Sequence, residues 1–275
     1  MALGITRDFR IHRLPGVIIF AWFKGGENRR KKSAIVSILF RGRVMSKPKV
    51  GFLVILFGAS LFTLRAESNN QEFVALFPTD GVPKGWLARE WNDVSKEAPK
   101  GVEWTVKDGV LHSGKERGTW LMSEKEYTDF VLEFEVKLTE RGNSGVALRA
   151  PLKGDPAFDG MELQLADKRY NPAAKDSELT GGIYRAIAPT KQVYKPTEWN
   201  KGRIELKGVH LKVVLNGETI QDVDLDKYDQ PVKRHDGTNA PPVKDRPRKG
   251  HIGFQHLSRE NEPVLIREAR IKELK

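Results

Sequence analysis

The sequence predicts an all-β protein built as a two-sheet antiparallel sandwich, on three observations. Apolar and polar residues alternate along several segments, tight-turn dipeptides punctuate them, and no stretch carries the 3.6-residue apolar period of an amphipathic helix. Many short strands separated by turn signals are the pattern of a sandwich or barrel. The chain has 275 residues and no cysteine. Disulfides, thiolate metal sites and a cysteine nucleophile are therefore excluded.

The N-terminal part is unlike the rest. Residues 1–66 hold 13 of the 47 Lys and Arg residues but only Asp8 and Glu27 of the 36 acids, so they carry the whole net charge of +11. The remaining 209 residues have 34 of each sign. A folded part with no basic surplus argues against nucleic acid as a partner. From Met45 a Lys-bearing start leads into an apolar run, Gly51 to Leu64, and then to the small residue Ala66. These are the three parts of a secretory signal peptide. The 14-residue apolar run is short for a membrane span, which needs about 20. Met45 is thus the expected start, with 1–44 an overextended reading frame, 45–66 the signal and 67–275 one exported domain. A periplasmic or secreted protein is expected, with no stable membrane span after cleavage. A translated basic extension that anchors the apolar run is the alternative.

Within the domain, "VEWTVKDGVLHS" reads as two strands about Asp108-Gly109, and "HLKVVLNGETIQDVDL" as a hairpin about Asn216-Gly217. Both dipeptides tolerate the positive φ that tight hairpins require. In "DFVLEFEVKL", Phe130, Leu132, Phe134, Val136 and Leu138 alternate with Val131, Glu133, Glu135 and Lys137; "NKGRIELKG" repeats the pattern. The charged set reads as an outward, solvated face. Residues 226–249 contain four prolines and no apolar run, so they read as a loop, either disordered or a lid at a site mouth.

Three segments break the ordinary alternation. In "DGMELQLAD", Met161, Leu163 and Leu165 oppose Gly160, Glu162, Gln164 and Ala166. In "NSGVALRAP", Asn143, Gly145, Ala147 and Arg149 share the face opposite Val146 and Leu148. In "GHIGFQHL", Gly253 and Gln255 oppose Ile252, Phe254 and His256. Glycine in a strand marks a close approach to the backbone. If the three strands share a sheet, small residues form a trough that longer polar ones line. A sugar suits such a trough, with Tyr184, Tyr194 or Trp199 as a stacking surface. The competing interpretation makes the glycines bulges and Arg149–Glu162 an ion pair. Glu162 and Asp167, five residues apart, would lie roughly 16 Å apart on a straight strand and on opposite faces, too far for a paired-carboxylate glycosidase. His251 and His256 fall on opposite faces, and no metal-ligand motif is present.

The segments "LFPTDGVPKGW", "GNSGVALRAP", "GMELQLAD", "TGGIYRAIAPT", "EWNKGRIELKGVHLKVVLNGETI" and "KGHIGFQHL", followed by "VLIREARIKEL", occur in an order that resembles the 3-keto-disaccharide hydrolase domain family over about residues 72–275. The resemblance implies a concanavalin- or laminin-G-like jelly roll and a carbohydrate substrate whose C3 hydroxyl is already a ketone. It implies cleavage by removal of the acidified C2 proton, elimination of the C1 substituent and addition of water. On that basis Glu162 is the candidate base, Arg149 stabilises the enolate, and His256 is a second candidate acid or base. Asn143, Gln164, Tyr184 and Gln255 would orient the sugar. A divalent cation with Glu162 as ligand is the alternative electrophile, and no other cofactor is indicated. A non-catalytic glycan-binding module with the same trough is the competing function.

Overall fold

In the computed structural model of the protein, residues 9–14, 17–23, 34–40, 72–260 and 262–275 are described. The chain divides into two units, residues 1–66 and 67–275. The first holds an antiparallel meander of β1 (Phe9–Leu14), β2 (Val17–Phe23) and β3 (Ala34–Phe40). The expected signal at 45–66 lies outside the described residues.

The second unit begins with β4 (Val74–Ala75), β5 (Trp86–Glu90), β6 (Thr105–Lys107), β7 (Val110–His112), β8 (Thr119–Tyr127) and β9 (Phe130–Lys137). It continues with β10 (Asn143–Ala150), the one-turn helix α1 (Pro156–Asp159), β11 (Met161–Ala166), β12 (Asn200–Lys207), β13 (His210–Leu215) and β14 (Glu218–Asp224). A small hairpin of β15 (Val232–Lys233) and β16 (Asn239–Ala240), then β17 (Gly250–His256) and β18 (Leu265–Glu273), complete it. Two antiparallel sheets form a sandwich. One has the order β11-β10-β17-β8-β5; the other runs β14-β13-β12-β9-β18-β7-β6, with β4 against β18. No helix among the described residues is long and apolar enough to cross a membrane.

Both expected tight turns are present, with positive φ at Asp108 and Gly109 and at Asn216 and Gly217. The Asp80 carboxylate secures the first by accepting the N–H groups of Asp108 and Gly109 at 3.0 and 3.3 Å. The alternating set of β9 faces inward: Phe130, Leu132, Phe134 and Val136 are buried. Burying such side chains contributes about 1.5–3 kcal/mol each. Its outward carboxylates meet cross-strand arginines, Glu133 with Arg203 and Arg270, and Glu135 with Arg267. From the facing sheet Phe254 packs against Phe134, Phe77 and Trp86, with ring centroids 5.9–6.1 Å apart. The core therefore takes one face of each sheet, and leaves the other face of the five-stranded sheet to carry the site.

Arg149 does not lie on that face. Alternation along β10 holds from Asn143 to Ala147, then the register against β17 slips between Ala147 and Ala150, and Arg149 takes a left-handed φ of 50°. Such a bulge inserts a residue and turns later side chains aside. The fully buried Arg149 side chain donates to Thr128 O, to Gly208 O at 2.8 Å and to the Asp129 carboxylate at 2.9 Å. Asp129 in turn accepts the Gly208 N–H at 2.9 Å. Arg149 thus ties β10 to the β8–β9 and β12–β13 turns, linking the two sheets at one end. The expected enolate stabiliser is a staple of the sandwich. Arg149→Met should lower unfolding stability by about 2 kcal/mol, since it removes the charge-assisted hydrogen bonds that join the three elements, read as a shift of the urea midpoint at unchanged slope. An unchanged midpoint would contradict the staple.

Candidate functional site

The three segments with unusual faces are neighbours, β11 beside β10 beside β17. Register places Gly145 opposite Gln164, and Ala147 opposite both Glu162 and Gly253. Small residues thus form the floor on which Glu162 lies. A Cβ on Gly145 would stand 1.9 Å from Glu162 Oε1, so only glycine at 145 lets this carboxyl fold down over β10. Glu162 is 3 % exposed and its Oε1 has no protein hydrogen-bond partner. Asn143 Oδ1 is buried and unpartnered in the same way. Unpaired buried polar atoms are costly and call for an explanation. Acceptors at this spot suit the hydroxyl donors of a sugar.

A pocket of about 240 Å³ opens over this floor. Among its lining residues are five of the seven expected site residues: Asn143, Glu162, Gln164, Tyr184 and Gln255. Tyr184 arrives on an extended segment that pairs with the free edge of β11. Its N–H donates to Glu162 O at 2.9 Å, and Gln164 N donates to Gly182 O at 2.9 Å. The glycines of "TGGIY" make room behind that segment: a Cβ on Gly181, whose φ is 89°, would stand 2.3 Å from Ile220 Cδ1, and one on Gly182 2.5 Å from Ser177 O.

His256, like Arg149, is elsewhere. It shares the inward face of β17 with Ile252 and Phe254, is fully buried edge-on to Trp104, and donates from Nε2 to Glu262 O at 3.1 Å. Burial lowers its proton affinity, leaving a neutral structural ring. Of the other proposed stacking residues, Trp199 lies under the Arg267 guanidinium, 4.1 Å away, and Tyr194 packs against the core. Asp167 does line the pocket, because β11 ends at Ala166 and the chain turns there, but Arg169 holds both of its oxygens.

Three pocket residues escaped the alternation argument because they sit on loops. Asp155 N-caps α1, accepting the Ala157 N–H at 3.0 Å. Burial, with some help from Asp159, pushes its carboxyl up to about 7. Burial, and then the nearby Asp155 charge, also holds Glu162 well above the usual carboxylate range. The motif "GDPAFDG" carried the signal for Asp155, an acid before a proline at the first helical position. His235 comes from the proline-rich segment expected as a loop or lid. That segment is ordered: Arg246 donates to Ala157 O and Gly160 O at 3.1 Å, and Arg234 pairs with Asp159. It folds the β15–β16 hairpin over the pocket, where the His235 ring meets Phe158 at 5.3 Å, Trp91 at 5.7 Å and Tyr184 at 5.8 Å. Desolvation, then Arg185, keeps His235 neutral. Nothing in the sequence pointed to Trp91.

Among the described residues no three His, Asp or Glu side chains gather closely enough to hold a metal ion. The divalent cation considered from sequence therefore finds no such group of ligands among the described residues. What it presents is two buried carboxyls of raised proton affinity, neutral donors and acceptors, and an aromatic wall.

Two proteins of Parabacteroides distasonis, whose designation as glycosyl hydrolases is provisional, resemble this structure. One is 27% identical, with a TM-score of 0.60 over 74% of this chain and 100% of its own. The other is 25% identical, with a TM-score of 0.54 over 71% of this chain and 91% of its own. No curated protein matches the chain. The model of the 3-keto-alpha-glucoside-1,2-lyase-like domain matches residues 72–272, which takes in the sandwich up to the last residue of β18 and every residue of the pocket. The chain belongs to that carbohydrate-active family.

Proposed function

We propose that the protein cleaves 3-keto-glycosides, with Glu162 and Asp155 acting as a carboxyl pair that shares one proton. The observation that carries this reading is the buried, unpartnered Glu162 Oε1 over Gly145, facing a pocket with a second raised carboxyl. Like charges in one dry site cannot both ionise easily, so the pair holds a proton near neutral pH. In the reactive arrangement that proton is on Asp155. Ionised Glu162, lacking a hydrogen bond to stabilise its charge, is then a stronger base than a surface carboxylate.

Glu162 takes the C2 proton, which the C3 ketone acidifies, and the electron pair flows into the enolate. Tyr184, Gln164 and Gln255 provide the neutral O–H and N–H donors that face this charge, the role first expected of Arg149. Burial holds the Tyr184 hydroxyl above its usual range, so it stays protonated. The enolate collapses with rupture of the C1–O bond, and Asp155 gives its proton to the departing oxygen. The product is an unsaturated 3-keto sugar. For net hydrolysis, water then adds at C1: Asp155 removes a water proton, and Glu162 returns its proton to C2. We place this activity outside the cytoplasm, on the signal-peptide pattern that begins at Met45.

Turnover of 3-keto-trehalose and a 3-keto-β-glucoside, beside the unoxidised parents, tests the reading. Only the keto sugars should be cleaved, and Glu162→Gln should lose about 10²–10⁴-fold in kcat/KM. Binding of glycan by folded protein without turnover would instead indicate a binding module. Gly145→Ala should displace the Glu162 carboxyl and cost about 10²-fold; full activity in this variant would show that the cradle is not needed. As pH falls through about 7, to which the Asp155 carboxyl is raised, the pair gains its second proton and loses its base, so kcat/KM should fall on an acid limb near 7. An acid limb near 4, where ordinary carboxylates titrate, would contradict the shared proton.

A further inference from the structure

A second cavity, of about 410 Å³, adjoins the first and shares Trp91, Arg117 and Leu257 with it as lining residues. Glu90, Glu97, Pro99 and Gly118 complete its lining. Trp91 stands between the two: its backbone N–H donates to Gly118 O at 3.1 Å, its carbonyl accepts the Trp120 indole N–H at 3.0 Å, and its ring meets His235 edge-on at 5.7 Å. Gly118 gives the indole room: its φ is 87°, and a Cβ there would stand 3.2 Å from Trp91 Cδ1. On the other side the Arg117 guanidinium is fixed by donation to Leu257 O at 2.9 Å and Tyr170 OH at 3.3 Å. A rigid aromatic face with a proline and a leucine beside it loses little entropy on binding a flat ring.

We infer that this second cavity is a leaving-group subsite, with Trp91 as its stacking surface and a planar aromatic aglycone as the preferred occupant. The assignment rests on the reading above that the first pocket takes the oxidised sugar ring. In a simple 3-keto-glycoside only C1 carries a substituent large enough to fill a neighbouring cavity, so the ring in the first pocket directs that substituent past Trp91. Trp91, Pro99 and Leu257 give the second cavity apolar surface for a ring, and Glu90, Glu97 and Arg117 give it a charged rim. Arg117, at the border, is placed to meet the glycosidic or a phenolic oxygen.

The test is equilibrium binding of phenyl and methyl 3-keto-glucosides of the same anomer to the full chain carrying Glu162→Gln, measured by titration calorimetry. The phenyl glycoside should bind at least tenfold more tightly. Adding Trp91→Ala should reduce that preference to less than threefold, while Trp91→Phe should retain most of it. Equal affinity for the two glycosides, no detectable binding of the phenyl glycoside, or a preference unaffected by Trp91→Ala in folded protein would overturn the subsite. Turnover by the unsubstituted chain is measured separately. Its absence would overturn the proposed reaction, while the binding comparison still decides the subsite.

Discussion

The site depends on one close contact, the carboxyl of Glu162 laid across the bare backbone of Gly145. Antiparallel pairing of β10 with β11 fixes it. A shift of one residue would send Glu162 into the core and a leucine into the pocket, because the side-chain period of a strand is two. The register is secured from the other face, where Val146, Leu148, Met161, Leu163 and Leu165 are buried between the sheets. The hydrophobic core and the buried acid are thus two sides of the same strands. Desolvation by those packed strands raises the proton affinity of Glu162, and a surface carboxylate would have none of that perturbation.

Much of this was legible in the sequence because strand alternation is a local property. The residues of β9 and β12 announced a two-faced sheet, and the two turn dipeptides announced hairpins. The glycine- and alanine-rich faces of β10, β11 and β17 identified the floor before any tertiary information. Asn143, Glu162, Gln164 and Gln255 all follow from parity alone.

Parity also explains the failures. It persists only while a strand stays regular, and the bulge after Ala147 turned Arg149 away from the face where counting had placed it. His256 was on the inward face by the same counting; only the family resemblance gave it a chemical role, and the fold keeps it between the sheets. Asp155, His235 and Trp91 come from loops, whose positions depend on long-range contacts such as Arg234 with Asp159 and Arg246 with the carbonyls around α1. Asp155 had a local capping signal. His235 had only its place in a long proline-rich segment, and Trp91 had none. The second carboxyl of the pair was therefore visible in the sequence as a helix cap, but its closeness to Glu162 was not.

A shared proton removes a difficulty of the sequence-only account. An arginine beside the base would have weakened it by stabilising its charge. With Arg149 elsewhere, no arginine charge stabilises ionised Glu162, and burial keeps it a strong base. The most direct measurement is the titration of the Glu162 carboxyl carbon by NMR in the unliganded protein, using Glu162→Gln to assign the resonance. The account predicts that the Glu162 carboxyl titrates well above the usual carboxylate range. Titration near pH 4 would mean an ordinary, hydrated carboxylate and would contradict the buried pair on which the mechanism rests.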